Sequence, residues 1–152
     1  MKERKHFLTL VLYGVIAGAF IFSVVSYCMH RHGSRRVYYF NSYDSQNLCT
    51  EVRYIVNARK EGAVEAFVAD LLLGPLTNRY RNIFSPETSI KFCVSNGRNL
   101  YLGLSEEALR EVNGMKSIRD SVGLLKMNIV RNFTKYKNVY IFIDGEIVFA
   151  EG

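Results

Sequence analysis

The chain has 152 residues and a formal net charge of +6. The excess charge lies in residues 1–36, which hold six lysines and arginines against one acid, whereas the remainder holds 14 basic and 13 acidic residues. Because that remainder is almost neutral, it has no basic stripe to neutralise phosphates, and we expect no nucleic-acid partner. All three histidines lie at or before His32, which leaves the rest of the chain without an imidazole for general-base chemistry.

The first element is an apolar helix. Residues 7–29 carry no formal charge, and a helix of that length spans about 30 Å of hydrocarbon. We therefore predict a basic tail at residues 1–6 and an uncleaved transmembrane signal anchor at residues 7–29. Its apolar surface includes Phe7, Leu12, Ile16, Phe20 and Val25.

Three features of the anchor leave alternatives open. Tyr27 before Cys28 fits neither signal-peptidase cleavage nor a good lipoprotein signal, but a lipid on Cys28 is an alternative anchor. Gly14 and Gly18 form a G-x-x-x-G pattern, which is either a helix-dimer face or the ordinary glycine content of a membrane helix. Basic residues flank both ends of the span, so charge alone does not determine its orientation.

The residues after the anchor predict a basic stalk at 30–36 and one domain at 37–152. Strands are predicted at 37–40 and 48–56, followed by a helix at 61–73 whose apolar residues repeat with helical period. Gly74-Pro75 ends that helix. Two strands joined at Asn96-Gly97 follow, and alternation predicts that Ile90, Phe92 and Val94 face the core.

The last part of the chain continues the same pattern. Ser105 is a candidate N-cap of a short helix, and Ser117 with Asp120 resembles a capping box that opens a helix at 117–133. The apolar run 139–143 predicts a central strand covered on both faces, and Asp144-Gly145 turns it into a last strand at 146–149. The order β-β-α-β-β-α-α-β-β predicts an α+β domain, with one mainly antiparallel or mixed sheet and helices packed on a face.

Four stretches occur together in this order: Leu-Leu-Leu-Gly-Pro at 71–75, Phe-Ser-Pro-Glu-Thr-Ser-Ile at 84–90, Asn96-Gly97 with the strand to Ser105, and Ile-Phe-Ile-Asp-Gly at 141–145. With them, the domain resembles the GerMN domain, a module named from bacterial spore-germination proteins. The resemblance implies a non-catalytic domain outside the cytoplasmic membrane, related to ring-building modules of envelope assemblies. The matching positions are Leu72, Gly74, Pro75, Pro86, Asn96, Gly97, Ser105, Asp144 and Gly145.

The chemistry available to the domain is limited. Cys49 and Cys93 are either nucleophiles, ordinary strand cysteines or a disulfide in an oxidising compartment, and alternation predicts that both point away from the main apolar face. The carboxylates of Glu106, Glu107 and Glu111 indicate a solvated helix start rather than a cation site. We expect no catalytic residue, no cofactor and no metal.

Aromatic residues crowd the first two strands. Tyr38, Tyr39 and Tyr43 are candidates for an exposed partner surface, with packing inside the domain as the alternative. The leading hypothesis is a single-pass protein of the cytoplasmic membrane with an extracytoplasmic domain that binds an envelope protein, a second copy or cell-wall glycan. The alternatives are an envelope thiol enzyme or redox protein that uses Cys49 or Cys93, and a lipoprotein anchored at Cys28.

Overall fold

The structure is a computed structural model that divides into two compact units, Met1–Gly33 and Ser34–Gly152. The predicted residues Glu61, Glu111 and Phe149 lie outside the residues that it describes, as do the side chains of Phe7 and Cys28. The described residues are 2–30, 33–44, 47–56, 62–110 and 117–148.

The first unit is a single long helix, α1 (Lys2–His30). Its segment Leu10–Tyr27 has a mean hydropathy of 2.1 and is long enough and apolar enough to cross a membrane. The predicted anchor residues Leu12, Ile16, Phe20 and Val25 are all exposed. The positions where a side chain would begin on Gly14 and Gly18 face open space. The helix-dimer face stays a prediction.

The second unit is an α+β domain, as predicted, but its strands lie in two sheets rather than one. One sheet pairs β1 with β2, and the other has the order β3-β4-β5-β6, with β4 and β5 parallel and the outer pairs antiparallel. β1 starts four residues before the predicted Val37, so residues 33–36 of the predicted stalk belong to this strand. The elements are β1 (Gly33–Asn41), β2 (Leu48–Val56), α2 (Ala63–Leu72), β3 (Ile90–Asn96), β4 (Asn99–Leu104), a 3₁₀ helix (Glu106–Leu109), α3 (Ile118–Asn132), β5 (Asn138–Ile143) and β6 (Glu146–Val148).

The core forms where apolar stripes of the helices meet one face of the four-stranded sheet. In α2, Val64, Phe67 and Leu71 are buried, as their helical spacing predicts. Val122 and Leu125 of α3 are buried as well, and the Asp120 N–H donates to the Ser117 hydroxyl at 3.2 Å at the start of this helix. From the sheet, alternate residues complete the cluster: Leu100, Leu102, Leu104, Val139, Ile141 and Ile143.

A β-bulge in β3 reverses the predicted inward and outward positions of this strand. Ile90 pairs with Leu104 and Phe92 with Gly103, so β3 carries one extra residue between the two pairs. Because side chains alternate along a strand, one extra residue moves every following side chain to the other face. The prediction that Phe92 and Val94 face the core is therefore wrong, and it is Cys93 that packs against the core.

Two side-chain amides on α3 form the hydrogen bonds with the β1 backbone that a neighbouring strand would otherwise form. The Asn128 side chain accepts from the Tyr39 N–H and donates to the Tyr39 carbonyl, both at 2.9 Å. Asn132 repeats the pattern one turn later, accepting from the Val37 N–H at 3.0 Å and donating to the Val37 carbonyl at 2.6 Å. Residues two apart on a strand present their backbone groups to one side, and residues four apart lie on one helix face, so the two spacings match.

A buried arginine joins β2 to the end of α2. The Arg53 guanidinium donates to the Glu51 carboxylate and to the Gly74 carbonyl, each at 2.7 Å, and forms an ion pair with Asp70 at 3.2 Å. The Leu76 N–H donates to the same Glu51 carboxylate. Gly74 has φ +88°, where an added Cβ would lie 2.3 Å from a side-chain oxygen of Asn82. The Gly-Pro turn after α2 is thus held in place by a charged pair on β2.

We expect Asn128→Ala to lower the free energy of unfolding by about 2 kcal/mol, because it leaves the partly buried N–H and carbonyl of Tyr39 without their Asn128 partner. Urea unfolding of the full chain in detergent micelles measures this change. The control is Asn138→Ala, which removes an exposed amide bonded to Asn99 and should cost less than about 1 kcal/mol. Equal losses in the two variants would contradict the role assigned to Asn128.

Candidate functional site

The face of the four-stranded sheet opposite the core is the candidate site, and we call it the outer sheet face. The strand pairing places ten residues on it, and none of these ten carries a formal charge. The bulge adds the exposed Lys91 next to Phe92, so one positive charge lies at the β3 edge of this face. Among its large side chains, Phe92 is 40% exposed, Val94 56% and Ile147 43%. The ten residues are Phe92, Val94, Asn96, Asn99, Tyr101, Gly103, Asn138, Tyr140, Phe142 and Ile147.

Aromatic rings cover the middle of this face. Tyr101 and Tyr140 stack with their centroids 5.1 Å apart and an angle of 13° between the rings. Phe92 and Phe142 form a tilted pair at 5.7 Å. A Cβ on Gly103 would lie 2.2 Å from the Phe92 ring. Because position 103 is glycine, the Phe92 ring can lie over β4, where it completes the aromatic centre of this face.

Amide side chains stand at one end of the outer sheet face. The Asn138 amide donates to the side-chain oxygen of Asn99 at 2.8 Å, and Asn96 pairs with Asn99 across the hairpin between β3 and β4. An amide carries both donors and acceptors, so these residues offer hydrogen bonds without charge. The face combines an apolar aromatic centre with a polar, uncharged end.

This composition is unusual for the solvent side of a sheet. A sheet that packs one face on the core normally shows polar side chains on the other face. Protein interfaces differ from the remaining surface by having aromatic residues in excess and charged residues depleted at their centre. The outer sheet face has both properties. A separate cleft of about 540 Å³ lies beside the β5–β6 turn, and residues from the helix side of the sheet, among them Leu109, Ile118 and Arg119, help to line it.

The three tyrosines predicted as a partner surface do not form one. Tyr38 is fully buried, stacks on Phe67 at 4.7 Å and has a pKa raised above its ordinary value by burial and by the Asp70 carboxylate. Tyr39 is partly buried under the Arg131 guanidinium. Tyr43 is 48% exposed. The exposed role proposed for Tyr38 is wrong, because alternation along β1 turns Tyr38 and Phe40 into the core.

The residues that match the family motif lie at turns and packing positions of the fold. Gly74, Gly97 and Gly145 have positive φ, and so does Asp144, at 50°. Ser105 is buried, but its hydroxyl accepts from the Ser89 N–H at 3.1 Å and makes no cap bond to the 3₁₀ helix. Ser105 therefore occupies the predicted N-cap position, but its side chain links two chain segments instead of capping the helix.

The reactive side chains are not assembled into a site within the described part of the chain. Cys49 lies in β2 and Cys93 in β3, in different sheets, and both thiols are free. Burial, followed by the Glu65 carboxylate, raises the pKa of Cys93 to about 11, so its reactive thiolate form is scarce at neutral pH. A hydrogen bond from Ser105 lowers the pKa of the exposed Glu107. The described residues contain no cluster of three or more metal-ligating side chains.

The chain thus combines an apolar helix with an α+β domain that offers an aromatic sheet face. The model of the Germane family, described as sporulation and spore germination, matches residues 36–148. The chain belongs to this family. The outer sheet face was not among the sites predicted from the sequence, although Tyr101 with Gly103 and Tyr140 with Phe142 alternate with core residues.

Individual proteins agree with this assignment. An uncharacterized lipoprotein of Treponema pallidum (strain Nichols) is 30% identical over 98 residues, which are 64% of this chain and 73% of that protein. The first GerMN domain of the sporulation protein GerM from Bacillus subtilis has the same fold, with a TM-score of 0.57 at 15% identity over 76% of this chain and 86% of that one. The GerMN resemblance is confirmed, and the apolar helix and the lipoprotein relative indicate a membrane-anchored envelope protein.

We expect Gly103→Ala to cost about 1–3 kcal/mol of stability, because the new methyl group overlaps the Phe92 ring. Phe92→Ala removes that ring, so the double variant should be more stable than the sum of the two single effects predicts, by at least about 1 kcal/mol. Thermal unfolding of the four proteins measures this coupling. Simple additivity would show that the ring does not lie over β4.

Proposed function

We propose that this chain is a non-catalytic, single-pass membrane protein whose domain lies outside the cytoplasmic membrane and assembles with protein partners of the envelope. The family, the apolar helix and the lipoprotein relative support this role. The partners bind through the outer sheet face. The observation that carries the proposal is the absence of charge at all ten positions of that face, together with its aromatic centre.

Burial of this face gives the proposal its physical basis. Removing apolar surface from water contributes about 25 cal/mol per Å². A charged group at the centre of an interface must lose its hydration, and none of the ten positions carries that cost. Within this face, Phe92, Val94 and Ile147 are the most exposed apolar side chains, so they gain most from a covering partner.

A second apolar row lies on β2, where Leu48, Val52 and Tyr54 are exposed. It is one line of side chains along a single strand. The outer sheet face extends over four strands and therefore offers a two-dimensional patch. We assign partner binding to the outer sheet face and use the β2 row as a control.

The alternatives have weaker physical support. A thiol enzyme or redox protein would need an activated cysteine, and the raised pKa of Cys93 opposes this. Cell-wall glycan would bind through stacking on Tyr101 and Tyr140 and through the amide end, but this aromatic pair is already stacked on itself. A lipid anchor on Cys28 has one specific observation in its favour, the lipoprotein relative.

The anchor is tested with Cys28→Ser. If α1 crosses the bilayer, the variant chain stays in the membrane fraction after a carbonate wash and requires detergent for extraction. Metabolic labelling with palmitate should not distinguish it from the unaltered chain. Loss of label and release into the soluble fraction would instead establish a lipoprotein.

Partner binding is tested with Val94→Lys, which places a charge in the middle of the outer sheet face. We expect the envelope complex that contains this chain to fall to a smaller size in native electrophoresis of detergent-solubilised membranes. The matched control is Val52→Lys, because Val52 is similarly exposed, at 45% against 56%. An unchanged complex in Val94→Lys, or equal loss in both variants, would count against the proposal.

A further inference from the structure

We infer that one end of the α+β domain binds the anionic phospholipid headgroups of the membrane that holds α1. We call it the basic end, because five exposed cations define it. The inference rests on the membrane anchor of the proposed function and adds a lipid-binding surface to the domain. The five cations are Arg35, Arg98, Arg131, Lys135 and Lys137.

The fold brings these cations together from three separate segments of the chain. The Arg36 side chain donates to the Asn132 carbonyl at 2.7 Å and lies 4.2 Å from the Phe133 ring centroid, so the start of β1 contacts the end of α3. The Lys137 N–H donates to the Arg98 carbonyl at 2.9 Å, which joins the start of β5 to the turn between β3 and β4. Phe133 and Lys137 belong to the same short connection between α3 and β5, so both contacts lie at one end of the domain.

The charges of the basic end are not balanced by acids. Residues 33–43, 97–104 and 121–143 together hold seven lysines and arginines and no aspartate or glutamate. No ion pair joins any of the five cations to a carboxylate in the described part of the chain. The residue count predicted no basic stripe because it sums over the whole domain, whereas the fold gathers these cations at one end.

The opposite end of the sheet carries charge of both signs. β4 and β5 are parallel, and they start directly after Arg98 and Lys137. Each strand runs for six residues, which is about 20 Å. Beyond their far ends lie the exposed carboxylates of Glu106, Asp144 and Glu146. A negatively charged surface therefore attracts the basic end of the domain more than the opposite end.

The attachment of the anchor selects a lipid surface as the ligand. β1 starts at the basic end, because the Val37 N–H near its start donates to the Asn132 side chain. Only residues 31–32 separate α1 from β1, and a connection of three Cα–Cα steps spans at most about 11 Å. The chain thus enters the domain among its cations, a few residues after the segment that is able to cross a membrane.

Exposed lysines and arginines beside a membrane helix are typical of binding to anionic lipids. Each such residue near the bilayer surface favours the bound state by about fivefold. The attraction decays over about 8 Å at physiological ionic strength, so it acts only on cations close to the headgroups. A soluble anion or a nucleic acid would not require the cations to lie at the anchored end.

The test uses the full chain in vesicles of phosphatidylcholine alone or of phosphatidylcholine and phosphatidylglycerol in equal parts. The photo-crosslinking residue benzoyl-phenylalanine replaces Thr134, which is exposed in the turn before Lys135. After irradiation, mass spectrometry measures the yield of lipid adducts. We expect a several-fold higher yield in the vesicles with phosphatidylglycerol. The same reporter in place of Glu106, at the opposite end, should give a low yield in both.

Two double variants of the Thr134 reporter chain separate the basic end from the total charge. Lys135→Gln with Lys137→Gln should lower the adduct yield several-fold in the vesicles with phosphatidylglycerol. Arg79→Gln with Lys91→Gln is the matched control and should leave the yield unchanged. It removes the same charge from two exposed residues at the other end of the strands.

Three outcomes overturn the inference while the chain still floats with the vesicles, so that the proposed function stands. Equal yields in the two kinds of vesicle would show that lipid charge has no role. Equal loss in the two double variants would show that the basic end has none. An adduct of twice the chain mass instead of a lipid adduct would assign the basic end to contact between copies. A chain that does not float with the vesicles would contradict the anchor and the inference together.

Discussion

The contact between α3 and β1 is the constraint on which the rest of the domain depends. Asn128 and Asn132 satisfy the backbone groups of Tyr39 and Val37, which would otherwise form an open strand edge. β1 and β2 form no ladder with the four-stranded sheet within the described residues, so side chains must hold the two sheets in one domain. With β1 held in this way, its alternation directs Tyr38 and Phe40 into the core.

Arg53 provides the second link, and it explains the Leu-Leu-Leu-Gly-Pro motif. Its guanidinium lies within 4.7 Å of the Tyr38 ring centroid and bonds the Gly74 carbonyl. A buried cation is tolerated only where it is paired and hydrogen-bonded, and here Glu51 and Asp70 pair with it. The motif therefore marks the place where the end of α2 is tied to β2, which is a structural role.

The outer sheet face is produced by two local departures from regular structure. The bulge in β3 moves Phe92 and Val94 out of the core and places them beside the aromatic residues of β4 and β5. Glycine at position 103 then leaves room for the Phe92 ring. These features convert apolar strand residues into a surface, and they account for the apolar aromatic centre of this face.

Local periodicity and backbone conformation are enough to predict the apolar helix, the α+β class, the core stripes of α2 and α3 and the turns at Gly74, Gly97 and Gly145, so these features could be read from the amino-acid sequence. Tertiary structure alone decided which face of β3 is outward, since one extra residue at Lys91 is visible only in the pairing with β4. It also decided that Tyr38 is buried, which depends on its contact with Phe67, and that Asn128 bonds the Tyr39 backbone, because these partners are far apart in the chain, 89 positions in the second case. The candidate site was missed for the same reason: a sheet face exists only after its strands are paired.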